Sequence, residues 1–465
     1  MSFYNDCPRS CTFWQDDRMT RLFGTDGVRG KANVDLTPDL ALTLGRAAGA
    51  VFGRSGRVVL GRDTRVSGPM LEGALTAGLC SAGLDVALAG IVPTPAVSFL
   101  TLAEGATAGG MVSASHNPVD DNGIKFFSAE GSKIAVDIET AIEAAMEAGP
   151  GELPVGTAVG GAEFIADAAD RYVKHLVATL RQPLNGLHVV VDCAYGAAWD
   201  VGPRAFRAAG ADVMAINATP DGSRINVGCG STSLDPLTRA VLAEGADLGV
   251  AFDGDADRVL AVDERGTVID GDAILALAAV QMAEAGELAH NVVVSTVMAN
   301  LGLQHALADR GIDVMTVPVG DRFVSEGMLE AGASLGGEQS GHIIFGAHAK
   351  TGDGILAGLQ LASWVVGQRA SECVHLFEPY PQVLINVSVT SKDALESAAP
   401  LWEQVGKLQE RFGRDGRVLV RASGTEALVR VMVEARDEAT ARSTAESLAA
   451  VVKDQLGAPA AGVSS

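Results

Sequence analysis

Three times the chain leaves an alanine-rich helical stretch through Gly-x-Asp-Val and enters an apolar strand. The copies are Gly83-Leu-Asp-Val86, Gly210-Ala-Asp-Val213 and Gly311-Ile-Asp-Val314. A glycine there supplies the left-handed backbone that ends a helix, and the Asp-Val leads into a sheet. The copies lie 127 and 101 residues apart (83 to 210, 210 to 311), too far for a solenoid and suited to repeated α/β domains. Further apolar strands fit at Val58–Leu60, Val189–Val191, Leu248–Phe252 and Val292–Val294. Thr37-Pro38 reads as an N-cap with proline at the first helical position, and Leu40, Leu44, Ala47 and Ala48 continue at helical spacing. A second helix is expected over Pro69–Ala82. Alternating strands and helices imply mixed or parallel sheets covered on both faces.

The fold class expected is therefore three consecutive mixed or parallel α/β domains, at 21–155, 160–260 and 261–376. A smaller α+β domain follows at 380–457, with strands at Pro381–Val389, Arg417–Arg421 and Leu428–Glu434 and one amphipathic helix over Glu438–Leu456. Linkers are expected near Gly149–Gly161, just past Arg258, and at Phe377–Pro381. Residues 1–20 show no periodicity and read as a disordered leader, with Met19 an alternative start; 458–465 read as a tail.

Composition excludes several classes. The net charge of −22 argues against nucleic acid as a partner, and no run of ~18 apolar residues suggests a membrane span. Asp6, Arg9, Asp16, Asp17 and Arg18 interrupt any signal-peptide core. Cys7, Cys11, Cys80, Cys193, Cys229 and Cys373 lack metal-ligand or disulfide-framework spacing. The chain reads as cytoplasmic, and the sequence leaves the oligomeric state open, a homodimer included. Against this acidic background Arg29, Lys125, Arg258, Arg421 and Arg430, each beside a Gly, Ser or Asp turn, are the groups available to an anionic substrate.

The chemistry concentrates in four stretches. Gly110–Phe127 carries Ser115, His116 and Lys125 among the turn signals Asn117-Pro118 and Asn122-Gly123, which place Ser115 on a tight, exposed loop. Phe252-Asp-Gly-Asp-Ala-Asp-Arg258 follows an apolar strand with carboxylates at Asp253, Asp255 and Asp257, hard oxygens suited to Mg²⁺ or Ca²⁺. A calcium-loop reading fails: Arg258 stands at the sixth position where glycine is needed, and a strand precedes the loop instead of a helix. Arg258 beside three carboxylates suits a phosphate bridging metal and guanidinium. Gly337-Glu-Gln-Ser-Gly-His342 packs polar groups between glycines, as sugar hydroxyls require. Arg421-Ala-Ser-Gly-Thr-Glu426, with Arg430 on the next strand, offers backbone N–H groups, hydroxyls and guanidiniums to a phosphate.

Together with Phe23-Gly-Thr-Asp-Gly-Val-Arg-Gly30 and Asp121-Asn-Gly-Ile-Lys-Phe-Phe127, these stretches resemble the α-D-phosphohexomutases, in the family's order and from about Phe23 to Leu456. The resemblance implies four domains around a central cleft and an isomerase that passes phosphate between a phosphoserine and a sugar. It implies Ser115 as the phosphoserine, with one Mg²⁺ per subunit held by Ser115, Asp253, Asp255 and Asp257. It places Arg29, His116, Lys125, Arg258 and His342 at catalytic positions, with His116 or Lys125 the proton shuttle and His342 nearer the sugar. Glu338, Gln339 and Ser340 would meet the sugar, and Arg421, Ser423, Gly424, Thr425 and Arg430 its phosphate. The substrate implied is glucosamine 6-phosphate, converted to the 1-phosphate through glucosamine 1,6-bisphosphate, which also serves as activator; the product would feed amino-sugar nucleotide and cell-wall precursor synthesis. Glucose or mannose phosphates are the alternative within the family, and a phosphatase or a non-catalytic sugar-phosphate binder the alternatives outside it. Ala427 replaces a usual proline and Ala256 a common glycine, and alanine at 256 suits the loop only if its φ stays negative.

Overall fold

The computed structural model describes residues 22–24, 26–423 and 427–457. The expected leader and tail, and Gly424 and Thr425, lie outside the described residues. The first sheet holds β1 (Val28–Lys31), β2 (Arg57–Arg62), β3 (Asp85–Ile91), β4 (Ala108–Val112), β5 (Asp121–Ser128) and β6 (Ala162–Phe164), in the order β1-β5-β4-β2-β3-β6. With it go α1 (Pro38–Val51), α2 (Gly68–Ser81), α3 (Thr94–Ala103) and α4 (Val136–Ala148). Thr37 caps α1 as expected, accepting from the Leu40 N–H.

The second sheet runs β11-β10-β9-β7-β8, built from β7 (His188–Asp192), β8 (Asp212–Ile216), β9 (Leu248–Phe252), β10 (Val259–Asp263) and β11 (Val268–Ile269). Its helices are α5 (Ala168–Ala178), α6 (Val201–Ala208) and α7 (Asp235–Glu244). The third sheet runs β13-β12-β14-β15, from β12 (Val292–Thr296), β13 (Asp313–Val317), β14 (Leu335–Gly337) and β15 (Ile343–Phe345). It is accompanied by α8 (Gly271–Glu284), α9 (Leu301–Ala308), α10 (Asp321–Ala331), α11 (Gly354–Val365) and α12 (Ala370–Cys373).

The three sheets repeat one plan. In each, the Gly-x-Asp-Val glycine takes a positive φ (+102°, +103° and +70° at 83, 210 and 311). The aspartate then opens the second strand, aligned with the first residue of its parallel neighbour: Arg57 with Asp85, His188 with Asp212, Val292 with Asp313. The third strand (β4, β9 or β14) joins the other side of the first in parallel and turns back antiparallel into the fourth (β5, β10 or β15). The three turns that result are the Ser115 loop, the aspartate loop and the Glu338 loop. All three motifs therefore occupy one topological position, at the carboxyl end of a parallel strand, where open α/β sheets place their ligands.

Three expectations are corrected. The break expected just past Arg258 is not there, because β10 and β11 complete the second sheet by pairing with β9 and each other. The first domain runs past residue 155, since β6, just beyond the expected linker, pairs with β3. The last domain, β16 (Gln382–Ser388), β17 (Gly416–Ala422) and β18 (Leu428–Ala435) in the order β16-β18-β17, carries a second helix, α13 (Ala399–Phe412), besides α14 (Glu438–Leu456). Its apolar residues Leu401, Val405 and Leu408 fall on one face and pack against the sheet, a helical spacing that the sequence reading passed over. One apolar cluster runs through the first three domains, whereas the fourth has its own. Among the described residues no helix is long and apolar enough to cross a membrane.

Candidate active site

Ser115 is buried, not exposed as the turn residues suggested, with 2% of its surface accessible. Its φ of +51° is a left-handed conformation that side chains disfavour, so the surroundings must hold it. Ser113 does part of this, donating its hydroxyl to Asp63 (2.6 Å) and accepting the Ser115 N–H (2.9 Å). Arg65 does most of it. Its fully buried guanidinium donates to the carbonyls of Ser115 and Asn117 (2.9 Å each), Asp121 (2.9 Å) and Pro118, and pairs with Asp63 at 3.0 Å. Asn226 of the second domain donates to the same Ser115 carbonyl at 2.9 Å. Sequence reasoning missed Arg65; the available signal was a second arginine in the turn that ends β2. Arg65→Met would take a donor from four carbonyls and leave the buried Asp63 without its cation, so we expect it to destabilise the protein by about 3–5 kcal/mol and to abolish turnover. Thermal melting and activity of the purified variant check this, and an unchanged melting temperature would contradict it.

Across the domain boundary stands the aspartate loop. The Ser115 hydroxyl donates to Asp253 Oδ2 at 2.6 Å. This approach requires Gly254, where a Cβ would stand 2.6 Å from the Ser115 carbonyl oxygen. The condition placed on Ala256 is not met, because its φ is +56°. The strain is of order 1 kcal/mol, and the residue is held by its N–H to Asp253 and by Gly354 donating to its carbonyl. Asp253, Asp255 and Asp257 are all buried and bring one oxygen each within 4.8 Å of the others.

The electrostatics of this cluster suit a cation. Burial, reinforced by the Asp257 and Asp255 charges, pushes Asp253 well above the usual carboxylate range. Burial and Asp255 raise Asp257 as well. Asp255 goes the other way, to about 2: burial pushes it up, but the Lys125 charge and the hydrogen bonds from Thr94 and Lys125 together outweigh it. Lys125 stands 2.9 Å from Asp255 and 3.5 Å from Asp257, and Thr94 at the start of α3 donates to Asp255 at 2.5 Å. Asp255 Oδ1 and Asp257 Oδ1 are buried without a hydrogen-bond partner. Orphaned carboxylate oxygens beside a serine hydroxyl make an all-oxygen donor set that fits a hard divalent ion.

The basic groups surround this point. Lys125 is raised further by its carboxylates despite burial, so it is a fixed cation. Arg29 pairs with Asp26 and donates to Asn117 at 3.3 Å. Arg258 donates its backbone N–H to Asp253 at 3.2 Å, and the Nε atoms of Arg29 and Arg258 are buried without a hydrogen-bond partner. His116 Nδ1 lies 3.1 Å from the Ser115 hydroxyl. Partial burial and then the Arg258 and Arg29 charges lower its pKa to about 4. This keeps the imidazole neutral near pH 7.

His342 is buried beside the aspartate loop. Its Nε2 accepts the Gly352 N–H at 3.1 Å, which leaves the neutral ring's proton on Nδ1, 3.7 Å from Asp257. Glu338 accepts the Gly320 N–H at 3.1 Å, Ser340 faces Glu338 at 3.5 Å, and Gln339 reaches Asp270 at 3.4 Å. Arg421 and Arg430 stand opposite each other across the β17–β18 hairpin. Burial, then the Arg430 charge, lowers the Arg421 pKa. Like charges so placed are unfavourable without an anion between them.

Three repeated α/β domains that bring together a serine, a carboxylate triad and buried cations, followed by a smaller fourth domain, define a phosphosugar-converting phosphotransferase. The chain belongs to the phosphoglucomutase/phosphomannomutase family, an isomerase family. It matches the family's α/β/α domains I, II and III over residues 20–151, 170–266 and 270–380, and its C-terminal domain over 384–451. Among its relatives, the phosphoglucosamine mutase of Rhodococcus opacus (strain B4) is 52% identical over 442 residues, 93% of this chain and 99% of the relative. That of Frankia casuarinae is 52% identical over 451 residues, 94% and 99% of the two chains. The solved structure of a phosphoglucomutase/phosphomannomutase family protein from Burkholderia thailandensis superposes with TM-score 0.80 at 26% identity, covering 94% of this chain and 97% of that one. The Aspergillus fumigatus N-acetylphosphoglucosamine mutase, solved with GlcNAc-6P and magnesium, shares the fold at TM-score 0.65 and 20% identity, over 93% and 95% of the chains.

Proposed function

We propose that the protein interconverts glucosamine 6-phosphate and glucosamine 1-phosphate through a phosphorylated Ser115 and a glucosamine 1,6-bisphosphate that also serves as activator. The observation that carries this reading is the Ser115 hydroxyl seated on Asp253 of the buried triad, in a chain whose near-full-length relatives are phosphoglucosamine mutases. In the forward direction the Ser115 Oγ–P bond breaks, a bond from phosphorus to the sugar C1 oxygen forms, and Ser115 is left as the hydroxyl. The bisphosphate then turns, and its C6 phosphate returns to Ser115. His116, neutral and in contact with Oγ, is placed to pass the serine proton in both directions. Lys125, Arg29 and Arg258 are fixed positive charges for the moving phosphoryl group. Ser115, Asp253, Asp255 and Asp257 would hold one Mg²⁺, which when bound neutralises phosphoryl charge. Glu338, Gln339 and Ser340 would orient the sugar, and Arg421, Ser423, Gly424, Thr425 and Arg430 would hold the distal phosphate while the intermediate reorients. The unpaired spacing of Cys80, Cys193, Cys229 and Cys373, all free thiols, supports a cytoplasmic location.

A substrate panel on the purified phosphoprotein tests the assignment. We expect kcat/KM for glucosamine 6-phosphate to exceed that for glucose 6-phosphate and mannose 6-phosphate by ~100-fold or more, the scale on which a site built for one polar group rejects another. Equal values for the glucose substrate would move the assignment to a phosphoglucomutase.

A further inference from the structure

At the start of α10, Asp321 and Arg322 tie the third domain to the first, and Gly320 before them ties the helix to the Glu338 turn of its own domain. Gly320 gives its N–H to Glu338 in the sugar-binding turn. Both carboxylate oxygens of Asp321 accept from Lys133 Nζ, at 2.9 and 3.0 Å. Arg322 forms a two-pronged pair with Glu139 on α4, which is almost fully buried. Lys133 belongs to the first domain, one bridge from β5 at Phe127, and the same ammonium donates to Asp26 Oδ1 at 2.7 Å. The other oxygen of Asp26 pairs with Arg29 and lies 3.9 Å from Lys125, which contacts Asp255. A continuous polar chain thus runs from Glu338 through Gly320, Asp321, Lys133, Asp26 and Lys125 to the aspartate triad. Gly320 has φ +136°, a backbone that essentially only glycine adopts, so the chain at this junction depends on a glycine.

We infer that Lys133 is a positioning residue that sets the sugar-binding turn of the third domain at a fixed distance from Ser115 and its cations. The assignment rests on the mutase reading above, because only a reaction between groups on the two domains needs that spacing. An ammonium has three donors, and those of Lys133 are directed at oxygens of both domains. The side chains are partly accessible, 13% for Lys133, 22% for Asp26 and 21% for Asp321, so the contribution to stability is modest. The contribution to geometry is larger. A sugar hydroxyl held by the third domain must come within ~3–3.5 Å of the phosphoryl on the first, and a displacement of ~1 Å costs on the order of 100-fold in rate.

The test compares wild type, Lys133→Met, Asp321→Asn and the double variant. We expect each single variant to lose kcat by ~10–100-fold while KM for the sugar phosphate and the phosphoserine content stay near wild type. The double variant should be no worse than the poorer single one, because both break one link. A kcat within ~2-fold of wild type for Lys133→Met, losses that multiply in the double variant, or a loss that appears only in KM would each overturn the inference. Hydrogen exchange over residues 319–325, measured without any substrate, separates this from a failure of the mutase reading. Faster exchange in Lys133→Met supports the link whichever sugar the enzyme takes, and unchanged exchange overturns it.

Discussion

Ser115→Ala is expected to eliminate phosphoryl exchange, by at least ~10⁴-fold, because the atom proposed to carry the phosphoryl group is gone and no neighbouring hydroxyl shares its position. The structure changes what else to expect. Ser115 is buried and donates to Asp253, so its removal should also lower stability by roughly 1–2 kcal/mol; a surface serine would lose almost none. The left-handed backbone at 115 is unaffected, since alanine carries the same Cβ. Intact mass of the wild type should show a population heavier by one phosphoryl group, absent from the variant. A variant with near-normal turnover would remove Ser115 from the mechanism altogether.

Asp255→Asn is expected to be almost as damaging. It removes one of the three hard anionic donors proposed to hold the metal, and with it the closest partner of the buried Lys125 ammonium. Losing several kcal/mol of charge stabilisation corresponds to ~10²–10⁴-fold in turnover, and Mg²⁺ affinity should fall in parallel. The wild-type site makes a further demand on the metal. Asp253 is held above the usual carboxylate range by burial and by its two neighbours, so the metal-free site holds its proton to higher pH than an ordinary carboxylate, and a bound cation would favour its release. Titration with Mg²⁺ in buffers of different ionisation heat should therefore reveal proton release, and affinity should rise with pH. The sign for stability follows from the same shift. A carboxylate with a raised folded-state pKa makes the metal-free protein progressively less stable as pH rises above the unfolded value of ~4, and Mg²⁺ should reverse that loss. Activity untouched by a chelator, or metal binding with no proton release, would contradict the metal assignment.

Much of the molecule was legible without coordinates. The Gly-x-Asp-Val junctions located three helix ends and three strand starts, since only glycine readily takes the backbone that ends each helix and the apolar run after it can only be buried in a sheet. The helix over 438–456 and strand β9 were found at the observed bounds. The aspartate triad was legible because hard oxygens at alternate positions after an apolar strand have few other uses. Local pattern failed where tertiary contact competed with it. Asn-Pro and Asn-Gly around Ser115 describe a turn but not what covers that turn, and here Asp253 and Asn226 of the next domain cover it. Similarly, the strands after Arg258 carry no mark of which sheet they join, so the expected boundary fell inside the second domain.

What the sequence alone determined is chemistry and local geometry: which residues can carry phosphate, metal and positive charge, and where each helix stops. These follow from side-chain type and from the few backbone conformations each residue accepts. Only the tertiary structure decided that the three loops occupy the same turn of three equivalent sheets, that Ser115 meets a carboxylate 138 residues away, and that Arg65 and Lys133 hold the arrangement. Such contacts arise when separately folded sheets pack through a shared apolar cluster, and no periodicity along the chain records which distant oxygen a buried cation will find.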